Sequence, residues 1–167
     1  MAEPEAELEI GRDAELVLAF LNTLDVEEGT DALAAVPPWQ EWAHRNGLAP
    51  PGELEQARQV RDALRATVGD HQSDQDLPLL NSALAVRLRH GVPKLSAADA
   101  VGQVLVACVR LAVLGQWDRV KICPADNCNW AFFDHSRNRS RTWCSMQVCG
   151  NRTKARIWRE RSRARSA

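Results

Sequence analysis

Four cysteines in the last third of the chain have the residue type and spacing to hold a metal ion. Cys123 and Cys128 are separated by four residues, Cys144 and Cys149 by another four, and fifteen residues lie between the pairs. Zinc takes four soft or borderline ligands in a tetrahedron, and two cysteine pairs on separate turns supply them. The first pair is expected on a knuckle, where Pro124 and Asn127 bend the chain. The second is expected to straddle the start of the last helix, whose positive end favours thiolates. A segment of about 45 residues has too little core to fold by burial alone. Zinc binding contributes on the order of 10–16 kcal/mol to such a segment. The expectation is one structural Zn2+ per chain, in a closed shell of Cys123, Cys128, Cys144 and Cys149. His135 is the only histidine in this segment and is not needed as a ligand. Cys108 stands apart in an apolar stripe and reads as a small buried residue.

Catalytic patterns are absent. There is no glycine-rich phosphate loop, no nucleophile elbow and no His-x-Glu deaminase signature. His44, His71, His90 and His135 are scattered, and a shell of four cysteines leaves no open metal position for water. The chain is expected not to be an enzyme.

The residues that follow the cysteines are basic. Residues 1–118 hold nine Lys/Arg against nineteen Asp/Glu, a net charge of −10. Residues 119–167 hold twelve against three, a net charge of +9. On a last helix at about 100° per residue, Arg152, Arg156, Arg159 and Arg163 form one ridge about 16 Å long. Lys154, Arg161 and Arg165 lie on the opposite side, with Trp158 nearer to them than to the ridge. Guanidinium groups present planar forks of donors to phosphates. A second cluster, Arg137, Arg139 and Arg141, alternates with Ser136, Asn138 and Ser140. Such small polar residues beside arginines suit backbone contacts. The nucleic-acid candidates are therefore Arg137, Arg139, Arg141, Arg152, Lys154, Arg156, Arg159 and Arg163. The competing reading is a solvated face, or a basic helix docked on the protein's own acidic part. Arg152 also has a structural alternative, a bond to a knuckle carbonyl. Asp134 has one too, orienting a neighbouring arginine. Trp130, Trp143, Phe132 and Phe133 read as a small core beside the metal.

Helices must position these groups. Asp13 can cap a helix to about Leu24, with Leu16, Val17, Phe20, Leu21 and Leu24 on one face. Thr30–Ala35 reads as a second helical segment, and Pro38 suits the first turn of a short helix carrying Trp39 and Trp42. Further helices are expected over Glu53–Asp70, Leu77–Arg89 and, capped by Ser96, Ala97–Leu114. Trp117–Ile122, Asn129–Asp134 and Arg141–Cys144 read as short strands, and Ser145–Arg163 as the last helix. The fold class expected is mainly α: an N-terminal helical bundle, then a small C-terminal four-cysteine zinc finger. The finger's short strands and basic helix would be treble-clef-like. The division is an acidic extension over 1–10, an all-α domain over 11–116 and the finger over 117–167. No apolar run approaches the roughly 20 residues of a membrane span. Met1–Glu5 is neither a secretory signal nor a transit peptide, so a cytoplasmic protein is expected.

Residues 134–146, Asp-His-Ser-Arg-Asn-Arg-Ser-Arg-Thr-Trp-Cys-Ser-Met, with Cys149-Gly150-Asn151-Arg152-Thr153-Lys154, closely resemble the CGNR zinc finger family. Phe20-Leu21-Asn22-Thr23-Leu24-Asp25 is similar to the opening of the α-helical domain, called ABATE, that commonly precedes this finger. Ala19 stands where that family more often has an acidic residue, and an upstream glycine pair is missing. The resemblance implies a stress-induced transcription regulator that binds zinc and DNA, with DNA as partner and no membrane. The helical domain would form a homodimer or sense a signal. The alternative is a protein-interaction or RNA-associated module whose basic helix docks an acidic partner.

Overall fold

The computed structural model describes residues 3–48, 50–69 and 82–165. Its first helix, α1, spans Glu3–Leu21 and so begins well before Asp13. The acidic extension is helical from residue 3, and Asp13 is not a cap. Asp13 is buried at the interface with the fourth helix, where both its oxygens accept hydrogen bonds from the Arg110 guanidinium. Residues 24–31 form a hairpin, β1 (Leu24–Asp25) against β2 (Thr30–Asp31). The helical segment expected over Thr30–Ala35 does not form. The Asp31 carboxylate accepts the Leu33 N–H at 2.7 Å, a local turn that competes with helix. The second helix, α2 (Val36–Arg45), carries Pro37 and Pro38 in its first turn, where a missing N–H costs nothing. The third, α3, spans Leu54–Thr67.

Residues 84–97 depart most from expectation. They are an antiparallel hairpin, β3 (Leu84–Arg89) and β4 (Val92–Ala97), not the end of a helix. Leu84 and Leu88 satisfy both a helical and a strand period. The turn decides the matter, since His90 and Gly91 both take positive φ, 51° and 78°, as a two-residue hairpin loop requires. Residues 77–81 of the expected helix lie outside the described residues. Ser96 consequently lies in β4, and Asp99 caps the fourth helix, α4 (Ala100–Val113), by accepting the Gly102 N–H at 2.7 Å.

The core is built where α1, α2, α3 and α4 meet. Val17, Phe20, Leu33, Trp39, Val101, Val104 and Leu111 are almost completely buried. Trp39 and Trp42 stack with ring centroids 5.2 Å apart, and Phe20 packs against both. Cys108 lies in this core, as its stripe requires, and burial pushes its thiol up to about 12.

The same core continues into the cysteine-bearing segment. After a short helical turn at Trp117–Arg119, β5 (Val120–Ile122) pairs with β6 (Ala131–Phe133). Val120, Ile122 and Ala131 are buried in one cluster with Phe20 and Leu111. Asn22 reinforces this joint. Its amide nitrogen donates to the Ala131 carbonyl at 2.9 Å, and its amide oxygen accepts the Ala131 N–H at 2.7 Å. Arg65, also buried, donates to the carbonyls of Leu21 and Asn129, both at 3.0 Å. The third expected strand, Arg141–Cys144, is irregular. The Arg141 N–H goes to the Asp134 carboxylate instead of a ladder partner. The last helix, α5 (Asn151–Ala164), follows a wide turn at Met146–Gly150. The fold is thus mainly α, with three small strand pairs among the described residues and a four-cysteine finger ending in a basic helix.

Candidate metal centre and basic helix

Two local turns aim the four cysteines at one point. Cys123 directly follows β5, and its N–H donates to the Trp130 carbonyl at 2.9 Å. Cys128 closes the knuckle with an N–H bond to the Ala125 carbonyl, also 2.9 Å. On the other side, the Ser145 hydroxyl accepts the Val148 N–H at 3.2 Å, and the Gly150 N–H donates to the Ser145 carbonyl at 3.1 Å. This widened turn swings Cys149 back beneath Cys144. A Cβ on Gly150 would sit 2.5 Å from the Met146 sulfur and 3.2 Å from a Trp143 ring carbon, so the flexible Met146 side chain would have to move aside.

The sulfur atoms of Cys123, Cys128, Cys144 and Cys149 all lie within 4.8 Å of one another. Cys128 and Cys144 are 3.5 Å apart, and Cys144 and Cys149 are 3.6 Å apart. A tetrahedron with zinc–sulfur bonds of about 2.3 Å has sulfur–sulfur edges of about 3.8 Å. The donor set and its size fit one structural zinc. Cys123, Cys128 and Cys149 are buried, Cys144 half-buried, and Phe132, Ala125 and Trp143 pack around them. As thiols, two of them resist charging: burial raises Cys128 to about 11 and pushes Cys144 higher still. Burial opposes charge on Cys123 too, but the N–H groups of Cys144 and Ala125 outweigh it and lower its value. Four sulfurs this close are all thiolates only around a cation, so zinc binding expels protons and weakens as pH falls. His135 is exposed, with its ring 5.0 Å from that of Phe133, and is outside the cluster.

Of the aromatic residues expected beside the metal, Phe132 and Trp143 are there. Phe133 packs instead on the main core, and Trp130 is 38% exposed.

The loop after β6 is organised by Asp134, which is completely buried. Its carboxylate accepts from Lys121 Nζ at 2.6 Å, the Ser136 N–H at 2.8 Å and the Arg141 N–H at 2.9 Å. Burial works against the charge, yet the ammonium and the N–H donors hold the carboxyl well below its usual range. Lys121 also donates to the Arg139 and Arg141 carbonyls, and Arg119 to those of Asp134 and Ser136. Sequence reasoning expected Asp134 to orient a neighbouring arginine, but its side-chain partner is the Lys121 ammonium, and it bonds Arg141 only at the backbone N–H. The same reasoning missed Lys121 and Arg119, whose alternation in and beside β5 is their only local signal.

The eight basic candidates divide into two groups. Arg139 pairs with Asp118 at 3.0 Å and donates to the Gly115 carbonyl. Arg141 donates to the carbonyls of Trp143 and Cys144 and lies 4.9 Å over the Phe132 ring. Arg152 pairs with Glu27 at 3.0 Å, not with a knuckle carbonyl, and Arg156 pairs with Asp126. Arg137, Lys154, Arg159 and Arg163 are exposed and form no ion pair among the described residues.

Two family models match the chain in succession. One, described as "Putative stress-induced transcription regulator" and called ABATE, covers residues 14–117, more than half of the chain. The chain belongs to the ABATE family. The second model, the CGNR zinc finger, covers residues 119–162 and includes all four cysteines. No curated protein matches the chain. The two descriptions are those of a regulator and a zinc finger, and neither is an enzyme. In this ABATE member the finger's naming tetrapeptide has a physical account at each position. Cys149 faces the metal cluster, Gly150 leaves room for Met146, Asn151 donates to the Gln147 carbonyl at 3.2 Å, and Arg152 pairs with Glu27. Asn22, in the Phe20–Asp25 stretch, joins the ABATE region to the finger's hairpin. No helix among the described residues is long and apolar enough to cross a membrane.

Proposed function

We propose that this zinc-binding regulator binds DNA, and that the finger's role is to present α5 to it. One observation carries the reading. The 14 residues of α5 include six Lys/Arg and a single acidic residue, Glu160, and none of them is buried. A helix that contributes nothing to a core and concentrates positive charge is suited to a phosphate backbone, or to a major groove wide enough to admit it. Arg137 adds charge from the loop, while Arg139 and Arg141 hold that loop's shape. Catalysis is not part of the proposal, because a closed four-cysteine shell has no position for substrate. Reduced cysteines suit a cytoplasmic location.

The test is a titration of the zinc-loaded chain on duplex DNA at several salt concentrations. Neutralising about 4–6 phosphates predicts that log affinity falls against log salt with a slope of about −4 to −5. A slope near zero would mean that phosphate contacts do not drive binding. The alternative, an acidic protein partner, is favoured by the pairing of Arg152 and Arg156 with carboxylates of the same chain. It predicts saturable binding of an acidic peptide and none of DNA.

The proposal includes a homodimer formed through the helical part. Among the described residues only β4 pairs with β3, which exposes Leu84, Val86 and Leu88, beside exposed Val92 and Val113. A two-stranded hairpin is marginal alone, and two β3 edges can pair antiparallel about a two-fold axis. Val86→Glu with Leu88→Glu is expected to convert dimer to monomer in sedimentation equilibrium. An unmutated chain that is monomeric at high micromolar concentration contradicts this part.

A further inference from the structure

The two faces of α5 are not equivalent. Arg152, on the ridge, pairs with Glu27 of the acidic part and Arg156 with Asp126 of the finger's own knuckle, so this face turns towards the rest of the protein. Glu160 lies beside the same ridge, about 60° from Arg163 at 100° per residue. The opposite face is different. Lys154, Trp158, Arg161 and Arg165 follow one another at four-, three- and four-residue spacing, which keeps them on one stripe. All four are exposed, and no carboxylate among the described residues pairs with any of the three cations. Trp158 is 66% exposed in the middle of the stripe. An indole so displayed leaves most of its apolar surface in water and gains nothing from the core.

We infer that the stripe Lys154–Trp158–Arg161–Arg165, and not the Arg152–Arg163 ridge, is the face of α5 that meets duplex DNA. This rests on the DNA-binding reading above and specifies which side chains carry it. Three cations along about 16 Å of helix contact phosphates, and the indole between them packs against deoxyribose and base edges in the groove. The ridge keeps its bonds to the body and sets the angle at which the helix is offered. Arg159 and Arg163, though unpaired, point with the ridge and contribute little to binding.

Matched double variants of the full zinc-loaded chain test this. Arg161→Ala/Arg165→Ala and Arg159→Ala/Arg163→Ala remove the same charge from the same two turns of helix. Since α5 has no buried residue, neither pair disturbs a core. Zinc content and circular dichroism verify that each variant is folded. Binding to a fluorescein-labelled duplex is read by anisotropy at several salt concentrations. The stripe pair should make the salt slope shallower by about two units. The ridge pair should change it by less than about half a unit. Trp158→Ala should weaken binding by about tenfold with the slope unchanged, because the lost contact is uncharged. Equal effects of the two pairs, or a larger effect of the ridge pair, overturn the assignment of the face while leaving DNA binding in place. Absence of binding by the unmutated chain at about 50 mM salt overturns the DNA reading itself, and the face assignment with it.

Discussion

Replacing Cys128 and Cys149 together by alanine is expected to abolish zinc binding and to unfold the chain's end, from the knuckle through α5. Elemental analysis of the purified protein should find one zinc per unmutated chain and none in the double variant. Cys108→Ala should leave the metal content unchanged, since Cys108 lies in the helical core away from the cluster. The effect is large because little else holds this segment. Its buried cluster is only Cys123, Ala125, Cys128, Phe132 and Cys149, most of it metal ligands. On the order of 10–16 kcal/mol of metal binding stands in for a core. Helix α5 is lost with it, because a 14-residue helix with no buried residue is marginal in water. The hairpin β5–β6 should survive, as Val120, Ile122 and Ala131 belong to the main core and Asn22 grips Ala131. Circular dichroism should therefore show partial loss of helix on chelation. Collapse of the whole helical signal in one step would show that the metal supports the bundle too. Full metal retention by the double variant would exclude these ligands.

Asp134→Asn is expected to cost about 3 kcal/mol at pH 7, because it leaves the partly buried Lys121 ammonium without its carboxylate. The pH dependence has a definite sign. The folded carboxyl titrates below its unfolded value of about 3.9, so its contribution is complete above about pH 5. It is lost as pH falls through the folded value. Urea denaturation of both proteins should give a constant difference from pH 8 to about 5, narrowing below about pH 4. A difference that already narrows between about pH 8 and 6 would mean that Asp134 is not the ionised partner. The variant should also loosen the loop to Arg141, since Asp134 accepts the N–H groups of Ser136 and Arg141.

The metal centre was legible in the sequence because its signal is local: two cysteine pairs, each closed by a turn of a few residues. The helices α3 and α4 were legible for the same reason, their apolar stripes being continuous, and α2 from the prolines of its first turn. The first strand of the hairpin over residues 84–97 reads as helix in the sequence because Leu84 and Leu88 suit either period, and only the alternation of Val86 and Leu88 with Arg87 and Arg89 favours a strand. Asp13 looked like a cap because its partner, Arg110, is remote in sequence. Asn22 and Arg65 were missed on the same grounds, since they bond residues 109 and 64 positions away. What could not be seen was the joint. A change of charge and texture near Trp117 suggested a boundary, whereas the apolar residues of β5 and β6 pack with Phe20 and Leu111. The charge split concerns surfaces and carries no information on which side chains share a core.

The central claim is that a zinc-organised helix binds duplex DNA. Its most direct test is anisotropy titration of the full chain on a labelled duplex at about 50 mM salt, before and after chelation. Saturable binding that disappears when zinc is removed, and returns when zinc is restored, is the predicted result. No binding by the zinc-loaded chain, or equal binding with and without zinc, would contradict it.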